Sequence, residues 1–84
     1  MINARQALII QVVDDAAKPI SSKEIARIAS KFIPTTEEYM RYSSAKGYIK
    51  RAKGSRGYSV TEKGVQALLE FERTVKGFLD NPTH

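Results

Sequence analysis

Covalent chemistry has few residues to work with in this chain. It contains no cysteine and a single histidine, His84, so thiol nucleophiles, thiolate metal sites and a His-based acid–base pair all lack their residue types. No His, Asp and Glu fall at metal-ligand spacing, and no glycine-rich run forms a phosphate cradle. The concentrated feature is positive charge. Residues 50–56 read KRAKGSR, four cations in seven positions. Across residues 39–61 there is no carboxylate, while Arg41, Lys46, Lys50, Arg51, Lys53 and Arg56 lie there together with all four tyrosines. A one-sided basic field with aromatics among the charges suits a polyanion such as nucleic acid. The competing reading is a solvated cationic surface. Either way, a binding protein is expected, with no catalytic residue, no metal and no cofactor.

The elements that must hold this field follow from capping and periodicity. An 84-residue chain of net charge +5 makes one small domain. Asn3 is a plausible N-cap for a first helix over 3–17, in which Leu8, Ile9, Val12, Val13 and Ala16 recur at helical spacing. Lys18 before Pro19 ends it, and Ile20 makes a short extended link. Ser21 with Glu24 is a capping-box pattern for a second helix, with Ile25, Ala26, Ile28, Ala29 and Phe32 as its inner face and Lys23, Arg27 and Lys31 outside. Thr35 with Glu38 repeats the pattern for a third helix over about 36–46, which Gly47 stops in a left-handed conformation. The inward positions of that helix, Thr36, Met40 and Ser43 or Ser44, are poor hydrophobes, so it is expected to be held for what its outer face does. Residues 48–53 and 58–61 read as two short strands joined by GSRG. Thr61 then caps a last helix that Asn81 and Pro82 end. No basic region followed by an apolar run suggests a signal peptide, and no apolar run approaches the ~20 residues of a membrane span. The absence of cysteine fits a reducing cytoplasm.

In this order of elements, GYIKR follows the third helix and GYSVTEKG closes the hairpin. With those two phrases and the two capped helices before them, residues 20–64 resemble the winged helix-turn-helix domain of MarR-type and PadR-type transcriptional regulators. The fold class expected is mainly α with a small β-hairpin wing. Residues 1–64 would form the winged domain, and 65–84 a C-terminal helix that completes the core. The resemblance implies a recognition helix in the major groove of double-stranded DNA and a basic wing on the backbone or minor groove. It also implies regulation of transcription in the cytoplasm, nucleoid-associated in a prokaryote or in the host cytoplasm if the protein is viral. With so few residues beyond the DNA-reading elements, a repressor is expected. A winged helix serving replication, partition or viral DNA handling, or one that binds an acidic protein, stays open.

The candidate DNA contacts are Lys23, Thr35, Thr36, Glu37, Arg41, Tyr42, Lys46, Lys50, Arg51, Lys53 and Arg56. Arg41, Tyr42, Ala45 and Lys46 should share one outward strip. Arg41 leads for base readout, because a guanidinium pairs bidentately with guanine O6 and N7; its alternative is an ion pair with Glu37 or Glu38. Glu37 could accept from a cytosine amino group, but the helix dipole is the simpler explanation of an acid there. Lys50 and Arg51 should alternate in direction, with Arg56 and Lys53 reaching out from the turn. In the last helix, Val65, Leu68 and Leu69 can close the core, leaving Phe71, Val75, Phe78 and Leu79 as a homodimer interface.

Overall fold

Local capping sets where the helices begin. In the computed structural model, which describes residues 1–80, helix α1 (Ala4–Asp15) starts at Asn3. The Asn3 side chain accepts from the Gln6 N–H at 2.9 Å, and Gln6 Oε1 accepts from the Asn3 N–H at 2.8 Å. This reciprocal box satisfies two donors that a helix start leaves orphaned, and only its Asn3 half was expected. Helix α2 (Ser22–Ala29) starts at Ser21, whose hydroxyl accepts from the Glu24 N–H at 3.1 Å. The reverse half of that box does not form, because Arg27 takes the Glu24 carboxylate. Helix α3 (Thr36–Ala45) departs further from expectation. Thr35 sits at φ −118°, ψ 63°, outside the extended region an N-cap needs, and its side chain makes no capping bond.

Gly47 ends α3 at φ +77°, the left-handed stop that only glycine adopts without strain. Two short strands follow, β1 (Ile49–Arg51) and β2 (Tyr58–Val60), paired antiparallel with Ile49 opposite Val60, Lys50 opposite Ser59 and Arg51 opposite Tyr58. They are shorter than the sequence pattern suggested, because residues beyond Arg51 already turn. On its other side Tyr58 pairs with Ile20: the Ile20 N–H donates to the Tyr58 carbonyl at 3.1 Å and the Tyr58 N–H to the Ile20 carbonyl at 2.7 Å. The last helix, α4 (Glu62–Asp80), is capped by Thr61, which accepts from the Gly64 N–H at 3.0 Å. The Thr61 hydroxyl also reaches the Gly47 carbonyl at 2.5 Å and the Tyr48 carbonyl at 3.1 Å, so one residue ties the end of α3 to the start of α4. The expected stop at Asn81 and Pro82, and His84, lie outside the described residues. The described residues are mainly helical with one two-stranded hairpin, an α+β arrangement. Among the described residues no helix is long and apolar enough to cross a membrane.

Helix α1 is buried on two sides, which a single apolar stripe did not anticipate. Ile9 and Val13 join Ile25, Ala29, Ile33 and Ile49 in one cluster, while Ala7 and Ile10 join Ile2 and Leu68 in another. Three expectations about the core change. Phe32 is 72% exposed and Ile33 is buried in its place. The chain tightens after Ala29, whose carbonyl accepts from the N–H groups of both Phe32 and Ile33, and this rotates Phe32 outward. Leu69 is 43% exposed, because it lies about 100° round the helix from Leu68. Phe71 shares the Leu68 face and packs half-buried against the Ile2, Ala7, Ile10 and Leu68 cluster, so it serves this chain's own core.

Helix α3 meets the core through Thr36 and Ser43, both buried, with Tyr39 and Met40 packed partly against the Ile9 cluster. Small inward residues let it approach α1 closely. The Ser43 hydroxyl is fully enclosed and has no hydrogen-bond partner among the described residues. Enclosing an unpartnered hydroxyl costs about 1–3 kcal/mol, and alanine is the better helix former. Ser43→Ala should therefore stabilise the fold by about 1 kcal/mol, raising Tm by roughly 4–8 °C in a domain of this size. A lower Tm for the variant would mean that the hydroxyl is satisfied after all.

Candidate nucleic-acid interface

A groove of about 810 Å³ runs between the start of α2, the outer strip of α3 and the base of the hairpin. Helix α2 contributes Ser22, Lys23 and Ala26, and the hairpin contributes Tyr58. Helix α3 contributes Glu37, Met40, Arg41, Ser44 and Ala45, spaced i, i+3, i+4, i+7 and i+8, which is one helical face. That spacing was available in the sequence, yet Ala26, Met40 and Ser44 were not among the candidate contacts. Thr35 lies in a smaller adjoining concavity of about 360 Å³, where Pro34, Thr36, Glu37, Glu38 and Arg41 meet. Thr36 is only 8% exposed. So buried a side chain offers a ligand almost no surface, which corrects its place among the contacts.

The expected strip of Arg41, Tyr42, Ala45 and Lys46 divides in two. Arg41 and Ala45 face the groove. Tyr42 and Lys46, one turn apart and about 100° round the helix from that pair, lie on the other flank. There the Lys46 ammonium sits 5.7 Å from the Tyr42 ring centre, and the Tyr42 ring lies 6.3 Å from that of Tyr48, tilted by 53°. The Lys63 ammonium covers the Tyr48 ring at 5.6 Å. Lys63 was not among the candidates, although its position beside the Thr61 cap placed it next to the end of α3. These contacts are cation–π and ring packing, each contributing about 0.5–1 kcal/mol at exposed sites.

On the hairpin, alternation turns Lys50 and Arg51 to opposite faces. The Arg51 guanidinium lies 5.2 Å from the Tyr58 ring centre and donates to the Arg56 carbonyl at 3.1 Å. Because Tyr58 also lines the groove, Arg51 stands at its edge. Lys53 and Arg56 occupy the connecting turn, fully exposed.

Charge pairing separates these cations from the rest. Among the described residues one ion pair forms, Arg27 with Glu24. The Arg27 hydrogen bonds hold the Glu24 carboxyl below its usual range and raise the guanidinium above its own, so Arg27 adds little net field. Lys23, Arg41, Lys46, Lys50, Arg51, Lys53 and Arg56 have no carboxylate partner among the described residues. Among the described residues no group of three or more His, Asp or Glu could hold a metal ion. No protein-family model, no curated protein and no solved structure matches the chain.

Proposed function

We propose that this chain is a winged helix-turn-helix protein that binds double-stranded DNA in a sequence-specific way and regulates transcription by occupying its site, as a repressor. It is a binding protein and not an enzyme. Helices α2 and α3 are the helix-turn-helix, α3 enters the major groove, and the β1–β2 hairpin is the wing. The observation that carries the reading is the groove in which unpaired Lys23 and Arg41 flank the outer strip of α3, with the hairpin base forming its far wall. A helix about 10–12 Å across fits a major groove about 12 Å wide. Lys23 is suited to phosphates on one side, and Lys53 and Arg56 to phosphates beyond the wing.

The test is a titration of duplex oligonucleotides over a salt series. With three to five phosphates neutralised per protomer, log K should fall linearly against log salt with a slope of about −3 to −4.5. Absence of duplex binding, or a flat salt response, removes the proposal. A second reading has its own support, because Ala26, Met40, Ala45 and Tyr58 give the groove an apolar share suited to an acidic protein partner. That partner would leave the chain without measurable affinity for duplex. A footprint over a promoter, compared with one over an origin or partition repeat, separates regulation from replication or partition.

The proposal includes a twofold pair formed through the second half of α4. Val75, Phe78 and Leu79 are exposed there at 41%, 61% and 67%, and the apolar seam that continues from Leu68 and Phe71 runs through them. Such a pair sets two recognition helices about 34 Å apart on a palindromic site. Light scattering should return twice 9.4 kDa. A monomer at high micromolar concentration removes the pairing and leaves duplex binding standing.

A further inference from the structure

Glu37 is the acid in a groove whose cations are Lys23 and Arg41. It lies in the first turn of α3, exposed, and lines both the main groove and the concavity beside it. Arg41 follows four residues later, the order and spacing at which a Glu–Arg pair closes most readily on a helix. No ion pair or hydrogen bond joins them. Glu24 and Arg27, three residues apart on α2, do close into a two-bonded pair. Helix capping does not occupy Glu37 either, since no side-chain bond caps α3. Two side chains of opposite charge thus stand side by side, unspent on each other, and both face the same groove.

Resting on the duplex-binding proposal, we infer that Glu37 is a specificity-determining residue that requires a cytosine in the site, close to a guanine held by Arg41. A carboxylate only accepts hydrogen bonds. In the major groove the donors are the cytosine N4 and adenine N6 amino groups, whereas guanine and thymine present acceptors and a methyl group. Adenine sets its N7 acceptor beside the amino group, where the second carboxylate oxygen would be repelled. Cytosine carries no such neighbour. Any other base leaves a desolvated, unpaired carboxylate close to phosphates, so the acid acts by rejecting wrong sites more than by tightening the right one. Arg41 wants the reverse pattern, the O6 and N7 acceptors of guanine. Four residues advance about 6 Å along a helix and one base step about 3.4 Å, so the two contacts fall within about two base pairs of each other.

The experiment selects binding sites from random duplexes with the wild-type protein, Glu37→Ala and Glu37→Gln, then measures affinity at fixed salt. The wild type should enrich a site with one invariant cytosine, whose replacement weakens binding about tenfold or more. Glu37→Ala should hold the replaced sites within about twofold of the parent and bind random duplex more tightly than wild type, with Tm lowered by no more than a few degrees through the lost helix-dipole interaction. Glu37→Gln, which both donates and accepts, should admit adenine at that position. If wild-type sites show no fixed cytosine, or Glu37→Ala keeps the same preference, the inference fails while duplex binding stands. If none of the three proteins binds duplex, the functional proposal fails and this inference falls with it.

Discussion

Gly64→Ala is expected to destabilise the protein by about 3 kcal/mol, lowering Tm by on the order of 15–20 °C. A Cβ at Gly64 would stand 2.2 Å from the Tyr48 carbonyl oxygen and 2.9 Å from Val60 Cγ2. The carbonyl has little freedom to retreat, because it accepts from the Thr61 N–H at 3.0 Å and lies 3.1 Å from the Thr61 hydroxyl. Relief requires moving β1 away from α4 or breaking the Thr61 cap, and either loses contacts that the fold depends on. A domain of this length has only about 4–12 kcal/mol of stability in hand. The control is Gly77→Ala in the same helix, where a Cβ meets nothing within 4 Å. Removing a mid-helix glycine there should stabilise by about 0.5–1 kcal/mol. Thermal melts of the two variants should move in opposite directions, and a Gly64→Ala melt within a few degrees of wild type would overturn the close approach.

On the duplex-binding proposal, Arg41→Ala should weaken binding to the selected duplex by roughly 5- to 150-fold, the range of 1–3 kcal/mol for a bidentate base contact. Its Tm should not change, since Arg41 is exposed and has neither an ion pair nor a hydrogen bond to lose. Arg41→Lys keeps the charge but not the planar fork. It should lose nearly as much on the selected site while leaving affinity for random duplex almost untouched. Lys53→Ala should behave differently, weakening all sequences alike and making the salt slope about one unit shallower. Competition binding with selected and random duplexes checks both. Equal losses on the two duplexes for Arg41→Ala would reassign it to phosphate.

The sequence made local events legible and left tertiary ones hidden. Asn3, Ser21 and Thr61 cap helices, and Gly47 ends one, because each signal acts within a few residues of itself. The hairpin showed for the same reason. Thr35 misled because a capping pattern specifies residue types but not the backbone angles that let them bond. Phe32 and Ile33 exchanged places because the turn after Ala29 breaks the helical phase that assigned Phe32 inward. Phe71 was read as surplus because the second cluster, built on Ile2, Ala7 and Ile10, depends on where α1 meets α4. For the candidate site, the cations were visible in the sequence, whereas their sorting was not. Tyr42 and Lys46 separate from Arg41 only once α3 has a fixed rotation against α1 and the hairpin. Gly64 stood in the TEKG phrase as a letter of a pattern, and its physical cause lies sixteen residues earlier in the chain, at the Tyr48 carbonyl.

The two-sided pairing of Tyr58, with Ile20 on one edge and Arg51 opposite it on the other, makes the base of the hairpin the middle of a three-segment junction. The amides of Ile20 and Tyr58 each donate to the other's carbonyl, so their protons should exchange with solvent together, when that one bridge opens. Lys53 and Arg56 lie beyond that clamp with exposed side chains, and the Arg56 carbonyl accepts from the Arg51 guanidinium. The four cations of residues 50–56 are thus carried on a base that Ile20 fastens to the rest of the fold.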